Sequence, residues 1–296
     1  MTSPATTLKL AANRAAGPEM DRLLEVMARL RDPDGGCPWD VEQTFETISA
    51  YTIEEAYEVA EAIAQGDISE LRKELGDLLF QVVFYAQMAR EQGDFDFSDI
   101  TKSVSDKMIE RHPHVFADVT VDGTHAQSVA WETQKANERA ARAKAEGRAP
   151  SVLDDVTPGF PALMRAQKLQ KRAARVGFDW PDIEGAMAKI AEETEELKHE
   201  LAEGGDETRI EAEIGDLLFS LVNLSRWAGA DAETALRGAN RRFEQRFRYI
   251  EDSLAAEDRR TTDATLEELE SLWQAAKQAD QAQINKSNTN QRGPKE

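Results

Sequence analysis

Apolar residues recur at helical spacing along almost the whole chain. Leu23, Leu24, Met27 and Leu30 form one stripe, Ile53, Ala56, Tyr57, Ala60 and Ile63 a second, and Leu71, Leu75, Leu78, Leu79, Val82 and Val83 a third. Intervals of three and four residues put each set on one helix face, which is expected to meet a core. No stretch alternates with period two over a strand length, so an all-α chain with almost no sheet is predicted. Gln65-Gly66-Asp67 separates the second and third stripes; Gly66 suits a helix stop, and Asp67 or Ser69 can cap the next helix. Glu203-Gly204-Gly205-Asp206 repeats that grammar. Short polar turns between long helices predict antiparallel neighbours, hence helical bundles. Two segments depart from the pattern. Asp32 to Asp40 reads as a loop by its glycines and prolines, and Arg111-His112-Pro113 ends a helix, because proline disfavours helix at the residue before it.

The pattern is written twice. Glu54-Glu55-Ala56-Tyr57-Glu58 precedes Glu74-Leu75-Gly76-Asp77, and Glu192-Glu193-Thr194-Glu195-Glu196 precedes Glu213-Ile214-Gly215-Asp216. The first clusters are 138 residues apart (192 − 54) and the second 139 (213 − 74), so the connecting turn gained one residue. Lys107 to Arg111 matches Arg242 to Arg246, and Trp131 to Lys135 matches Trp273 to Lys277, in the same order. A period this long excludes a solenoid of roughly 20–50-residue units and indicates a duplicated domain. The expected division is a flexible tail over 1–18, a first helical domain over 19–148, a linker over 149–161 where prolines cluster, a second domain over 162–281, and a disordered tail over 282–296.

Each cluster places carboxylates three apart on one helix face: Glu55 with Glu58, Glu74 with Asp77, Glu193 with Glu196, and Glu213 with Asp216. Antiparallel packing would bring the two acidic faces of a domain together. Carboxylates at a core edge repel one another and lose hydration, so they call for a compensating cation. Hard oxygen donors with no nearby thiol suit Mg²⁺, with Mn²⁺ as a substitute, and Mg²⁺ commonly shares its coordination with substrate phosphates. Gly76 and Gly215 each cost roughly 1 kcal/mol relative to alanine within a helix, which predicts close helix approach or room for a ligand.

Charge and composition narrow the classes. A net charge of −20 disfavours a nucleic-acid partner. The lone Cys37 excludes an intrachain disulfide framework, no apolar run approaches a membrane span, and residues 1–17 lack the apolar core of a secretory signal. A cytoplasmic protein is expected.

The E-E-x-x-E and E-x-x-D pair resembles the all-α nucleoside triphosphate pyrophosphohydrolases. Cys37 to Thr44 and Arg111 to Phe116 look like the MazG family, in its two-domain form. The resemblance spans about residues 19 to 280 and implies Mg²⁺-dependent hydrolysis of ribo- or deoxynucleoside triphosphates to the monophosphate and pyrophosphate by a helical homodimer. It implies metal ligation by Glu193, Glu196, Glu213 and Asp216, with Glu55, Glu58, Glu74 and Asp77 as a possible second site. Nucleotide contacts are implied at Lys189, Ile190, Ala191, Glu192 and Glu193; at Arg209, Ile210, Glu211 and Ala212; at Arg242, Phe243, Glu244, Gln245 and Arg246; and at Trp273. Arg242 and Arg246, four apart, could fork onto phosphate oxygens, and Trp273 could stack on a base. Glu192 is the candidate to orient the attacking water. The first domain has Lys107 and Arg111 in the basic positions and no clear counterpart of Lys189, so the principal activity is expected in the second domain. The competing classes are a non-catalytic helical interaction module and a di-iron bundle. The latter needs Glu-x-x-His on two helices, and only Glu196 to His199 supplies one.

Overall fold

The structure is a computed structural model and describes residues 17–117 and 123–290. Among these residues it contains helices and no strand: α1 (Gly17–Leu30), α2 (Pro38–Glu42), α3 (Phe45–Gln65), α4 (Ile68–Gln92), α5 (Phe97–Arg111), α6 (Pro113–Phe116), α7 (Gly123–Ala145), α8 (Ala162–Ala174), α9 (Ile183–Glu203), α10 (Glu207–Trp227), α11 (Ala232–Ala255) and α12 (Leu266–Asn290). A 3₁₀ turn at Thr261–Asp263 precedes α12. Most of the 1–18 tail lies outside the described residues, but Gly17 and Pro18 already open α1. Of the 282–296 tail, residues up to Asn290 continue α12 as helix, and 291–296 lie outside the described residues. Extending an existing helix fixes one residue per bond gained, so even a polar sequence can prolong it.

The chain divides into two compact units between Gln134 and Lys135, inside α7. The proline-rich stretch expected as the linker therefore belongs to the second unit. It is tied down there: Val156 is buried, Arg148 Nη1 lies 2.7 Å from Asp154 Oδ2, and Arg142 Nη1 lies 2.6 Å from Asp155 Oδ1. Proline content disfavours helix, but it does not stop a segment from packing.

In the first unit α3 and α4 form a hairpin. Gly66 takes a left-handed φ of 73° and donates its N–H to the carbonyls of Ala62 and Ile63, and Asp67 then accepts from the Ser69 and Glu70 amides. The next helix is thus capped one residue after the previous one stops. α1 packs on α4, and Met27, Ile48, Val83, Phe84 and Met88 form the core between the helices. A buried side chain such as Phe84 contributes about 1.5–3 kcal/mol by leaving water. The outer flank of α3 departs from the sequence expectation. Ile53 is 56% exposed and Ile63 61%, with Ala56 and Tyr57 also exposed; α3 buries Ile48 and Ala62 instead. The apolar surface of this helix is wider than α4 can cover.

The second unit repeats the hairpin with α9 and α10. Its turn is one residue longer, with Gly204 at φ 71° and Asp206 accepting from the Arg209 amide. α8 lies against α10 and α11, and α12 against α11. Two glutamines of α8 face inward: Gln167 donates to the Ala230 carbonyl at 3.3 Å and Gln170 to the Phe219 carbonyl at 2.8 Å. Ile214, Leu218 and Leu221 leave a second apolar stripe exposed along α10.

Candidate active site

The α9–α10 hairpin brings three predicted carboxylates together. Glu193, Glu213 and Asp216 each place an oxygen within 4.8 Å of the others; Glu193 is buried, Glu213 half-buried and Asp216 exposed. Lys189, one turn before Glu193, reaches back to it at 2.9 Å and to Glu192 at 2.8 Å. Hydrogen bonds from the ammonium to these two carboxylates hold the lysine well above its ordinary range. Glu196 lies outside the three. Loss of hydration and the charge of Glu193 raise its carboxyl above 4.5, with Glu192 and Glu213 adding to the effect.

The first unit assembles Glu55, Glu58 and Glu74 in the same way. Loss of hydration, then the charges of Asp77, Glu58 and Glu54, raise Glu55. Loss of hydration, the hydrogen bond with Glu70 and the charge of Glu58 raise Glu74. Asp77 acts on both, so all four predicted carboxylates of this unit share one field. At the position of Lys189 the first unit has Tyr51, 138 residues earlier, whose ring meets the edge of Trp39 at 6.0 Å. Both clusters offer oxygens alone as donors. That donor set fits a hard divalent cation.

The second cluster opens on a nucleotide-sized cleft. A cleft of about 720 Å³ includes Lys189, Glu193 and Asp216 in its lining, and continues between α8 and α10 over Leu169, Phe178, Trp180 and Phe219. Its polar lining includes Gln170, Asn223, Asp179 and Arg226. Small-molecule sites combine this kind of largely apolar wall with a few polar groups, at volumes of roughly 300–1,000 Å³. The first unit differs at the corresponding point of its hairpin. The 139-residue offset that pairs Glu74 with Glu213 pairs Phe84 with Asn223, and Phe84 is buried among Met27, Ile48, Val83 and Met88.

The remaining predicted contacts are distributed differently. Of the predicted set, Lys189, Glu193 and Asp216 line the cleft. Ile190 and Ile210 are half-buried, while Ala191, Glu192, Glu211 and Ala212 are exposed. Arg209 is held by Glu200. On α11, Arg242, Phe243, Glu244 and Gln245 are exposed; Arg246 lies 2.7 Å from Asp280 and stands over the Trp273 ring, which also packs against Phe243 at 5.2 Å. Trp273 therefore has its partners on α11. Around Pro113, His112 caps the end of α5, donates from Nδ1 to the Met108 carbonyl at 2.7 Å and packs beside Trp131. That is the geometry of a helix-ending turn. Among the described residues, an added Cβ at Gly76 or Gly215 would meet nothing within 4 Å, so neither glycine serves close packing against them.

The model of the MazG nucleotide pyrophosphohydrolase domain matches the chain twice, over residues 43–116 and 182–250. A nucleoside triphosphate pyrophosphohydrolase of Escherichia coli strain K12 is 52% identical over 260 residues, which is 88% of this chain and 97% of that protein. A nucleoside triphosphate pyrophosphohydrolase/pyrophosphatase MazG of Thermotoga maritima is 41% identical over 268 residues, 90% of this chain and 99% of that one. The chain belongs to the MazG family. Each MazG match contains one helical hairpin with its carboxylates, as the internal duplication requires. The second match begins at residue 182, so Gln170, Phe178, Asp179 and Trp180 of the cleft precede it. These four, with Asn223 and Arg226, are among the cleft residues that the sequence motifs did not single out. Asn223 carried a signal: a polar residue two turns beyond Asp216 where the other MazG copy has phenylalanine.

Proposed function

We propose that the second unit hydrolyses ribo- and deoxynucleoside triphosphates to the monophosphate and pyrophosphate with Mg²⁺, Mn²⁺ serving as a substitute. The observation that carries this is the convergence of Glu193, Glu213 and Asp216 at a cleft large enough for a nucleotide, in a MazG chain whose relatives are named for this reaction. Glu193, Glu196, Glu213 and Asp216 would hold the metal. When bound, it supplies polarisation of phosphoryl oxygen and acidification of water.

The chain's own groups do the rest. Water attacks the α-phosphorus, the bond to the α–β bridging oxygen breaks, and pyrophosphate leaves with the bonding pair. Glu192, next to Glu193 in sequence and bonded to Lys189, is the candidate to orient that water. Lys189, already at the cleft, gives the phosphates a cation within reach of the carboxylates. Arg242, Arg209 and Arg246 lie outside the cleft lining. Their service to the phosphates calls for rearrangement of Arg209 from Glu200 and Arg246 from Asp280, or for a second copy of the chain.

A homodimer is part of the proposal, supported by the exposed stripes of Ile53, Tyr57 and Ile63 on α3 and of Ile214, Leu218 and Leu221 on α10. Light scattering should give twice the 33.0 kDa chain mass at micromolar concentration; the mass of one chain throughout would defeat the dimer. The first unit has a structural or regulatory part, because Phe84 fills the place that Asn223 leaves to the cleft. Among the described residues no helix is long and apolar enough to cross a membrane. With the acidic net charge, this supports action on free nucleotides in the cytoplasm.

The test is a nucleotide panel with product identification. Monophosphate plus pyrophosphate, abolished by excess EDTA, is expected. Diphosphate plus phosphate, or turnover that survives EDTA, would sink the reading.

A further inference from the structure

One wall of the cleft is built from a helix whose charge is opposite to that of the chain as a whole. With 56 acidic residues among 296, the 23 residues 156–178 would be expected to hold about four, and they hold none. The same stretch has five cations, Arg165, Lys168, Lys171, Arg172 and Arg175, all on α8 or on the residue that ends it. Their intervals of three and four put them on one flank of the helix. Arg165, Lys168, Lys171 and Arg175 are exposed and Arg172 is half-buried. Lys168 Nζ stands over the Phe160 ring, 4.9 Å from its centroid.

This flank borders the cleft. Leu169 and Ala173, which line it, directly follow Lys168 and Arg172, a rotation of about 100° around the helix axis. The five cations lie outside the lining itself. A helix with its side chains is about 10–12 Å across, so the flank stands roughly one helix width from the lining. The screening length in 0.1 M salt is also about 10 Å. Charges at that range still act on an anion at the mouth, while those on the far side of the chain are damped. An incoming anion needs such help, because the chain carries −20 and the lining includes Asp179, Glu193 and Asp216.

We propose that the basic flank of α8 is a capture surface that draws the polyanionic substrate from solution to the cleft. The proposal rests on the reading of this unit as a nucleoside triphosphate hydrolase and adds the route by which substrate arrives. Standing beside the lining, the flank raises the local concentration of triphosphate without holding it in the reacting position. Clefts bordered by charge opposite to the ligand raise association rates by about 10–10³-fold, and salt removes the effect. The gain grows with the charge of the ligand, so the flank favours the triphosphate over the monophosphate product.

Stopped-flow binding of a fluorescent α,β-methylene nucleoside triphosphate to the full chain with Mg²⁺ tests this. Arg165→Glu with Lys171→Glu reverses two exposed charges and leaves the contact of Lys168 with Phe160 alone. At about 20 mM ionic strength, association is expected to slow by about tenfold or more, with dissociation within about twofold of wild type. At about 0.5 M the association rates should agree within about twofold. Arg165→Gln with Lys171→Gln removes charge without adding repulsion; it should fall between, and it keeps the comparison if the reversal variant does not fold. The kcat of both variants should match wild type. Association that is unchanged at low salt overturns the capture surface. So does a loss that persists at high salt, or one that appears in dissociation, the mark of a direct contact in the bound state. In each of these cases wild-type protein still binds the triphosphate and the functional reading stands. Wild-type protein that binds no nucleoside triphosphate overturns both together.

Discussion

The ammonium of Lys189 lies 2.9 Å from Oε1 of Glu193, the most buried carboxylate of the second cluster. A tethered cation therefore sits on a metal-ligand candidate before any metal arrives. Lys189→Met should remove that competitor. Magnesium affinity of the nucleotide-free protein is expected to rise roughly three- to tenfold, while KM for nucleoside triphosphate rises as a phosphate contact is lost. Calorimetry and steady-state kinetics give the two numbers; a fall in both affinities would mean the lysine serves only to order α9.

The two halves should respond unequally to loss of a carboxylate. Glu193→Gln or Asp216→Asn should lower the rate at least about a hundredfold, the usual scale for one electrostatic contact in a transition state. Glu55→Gln and Asp77→Asn should cost much less, since the hairpin beside them has Tyr51 in place of Lys189 and the core residue Phe84 in place of Asn223. Loss of turnover in the first-unit pair alone would reverse the assignment.

Neutralising the first cluster should also change stability with pH. The Glu55 carboxyl is raised in the folded protein above its ordinary 4.5, by lost hydration and then by Asp77, Glu58 and Glu54. A folded state that binds the proton more tightly loses stability as pH rises above the unfolded value and through the folded one. Below 4.5 the group is protonated in both states and the penalty is absent. Glu55→Gln should accordingly melt higher than wild type at neutral pH without metal, and the gap should close as the pH falls toward 4.5. Equal melting temperatures at pH 7 would contradict the raised carboxyl.

Gly215 is exposed on α10 beside a stripe of exposed apolar residues, and a Cβ there meets nothing within 4 Å in the chain. Gly215→Ala should stabilise the helix by about 0.5–1 kcal/mol. If a second copy supplies the close approach, sedimentation should at the same time show a dimer weakened by about tenfold. A more stable protein with undiminished association would remove this glycine from the interface.

Gly185→Ala tests the aromatic wall from behind. The new methyl would displace the Trp180 indole, because the contact distance of 2.8 Å is too short for a real Cβ. KM for nucleotides should rise by about tenfold with kcat little changed, the signature of lost binding common to ground and transition states. A fall in kcat at constant KM would instead place Trp180 close to the reacting phosphate.

The helices and the carboxylates were legible because both follow a period. A three-residue interval fixes which side chains share a helix face, and the duplicated block picked out carboxylates whose oxygens the hairpins bring together. The outward stripe of α3 was not legible. Ile53 and Ile63 have the spacing of core residues, and spacing does not say whether the neighbour is in the same chain. The cleft escaped for a related reason. Gln170 on α8 and Asn223 on α10 are 53 residues apart, and only tertiary packing brings them to one cavity. The boundary moved from the proline-rich stretch into α7 because Val156, Asp154 and Asp155 find partners in the second unit.

Phe84 separates the two halves of the duplication. The first unit retains all four acidic positions, and beside them it has Tyr51 where the second has Lys189 and Phe84 where the second has Asn223. Phe84→Asn, however, would remove a ring from the centre of the α1–α4 core and leave a buried amide in its place, and the cavity alone costs on the order of 3–5 kcal/mol. That is a large part of the roughly 5–15 kcal/mol by which a domain is stable. Two hairpins that share their carboxylates thus differ in what folding asks of the same position: in the first unit that residue belongs to the core, in the second it lines a cleft.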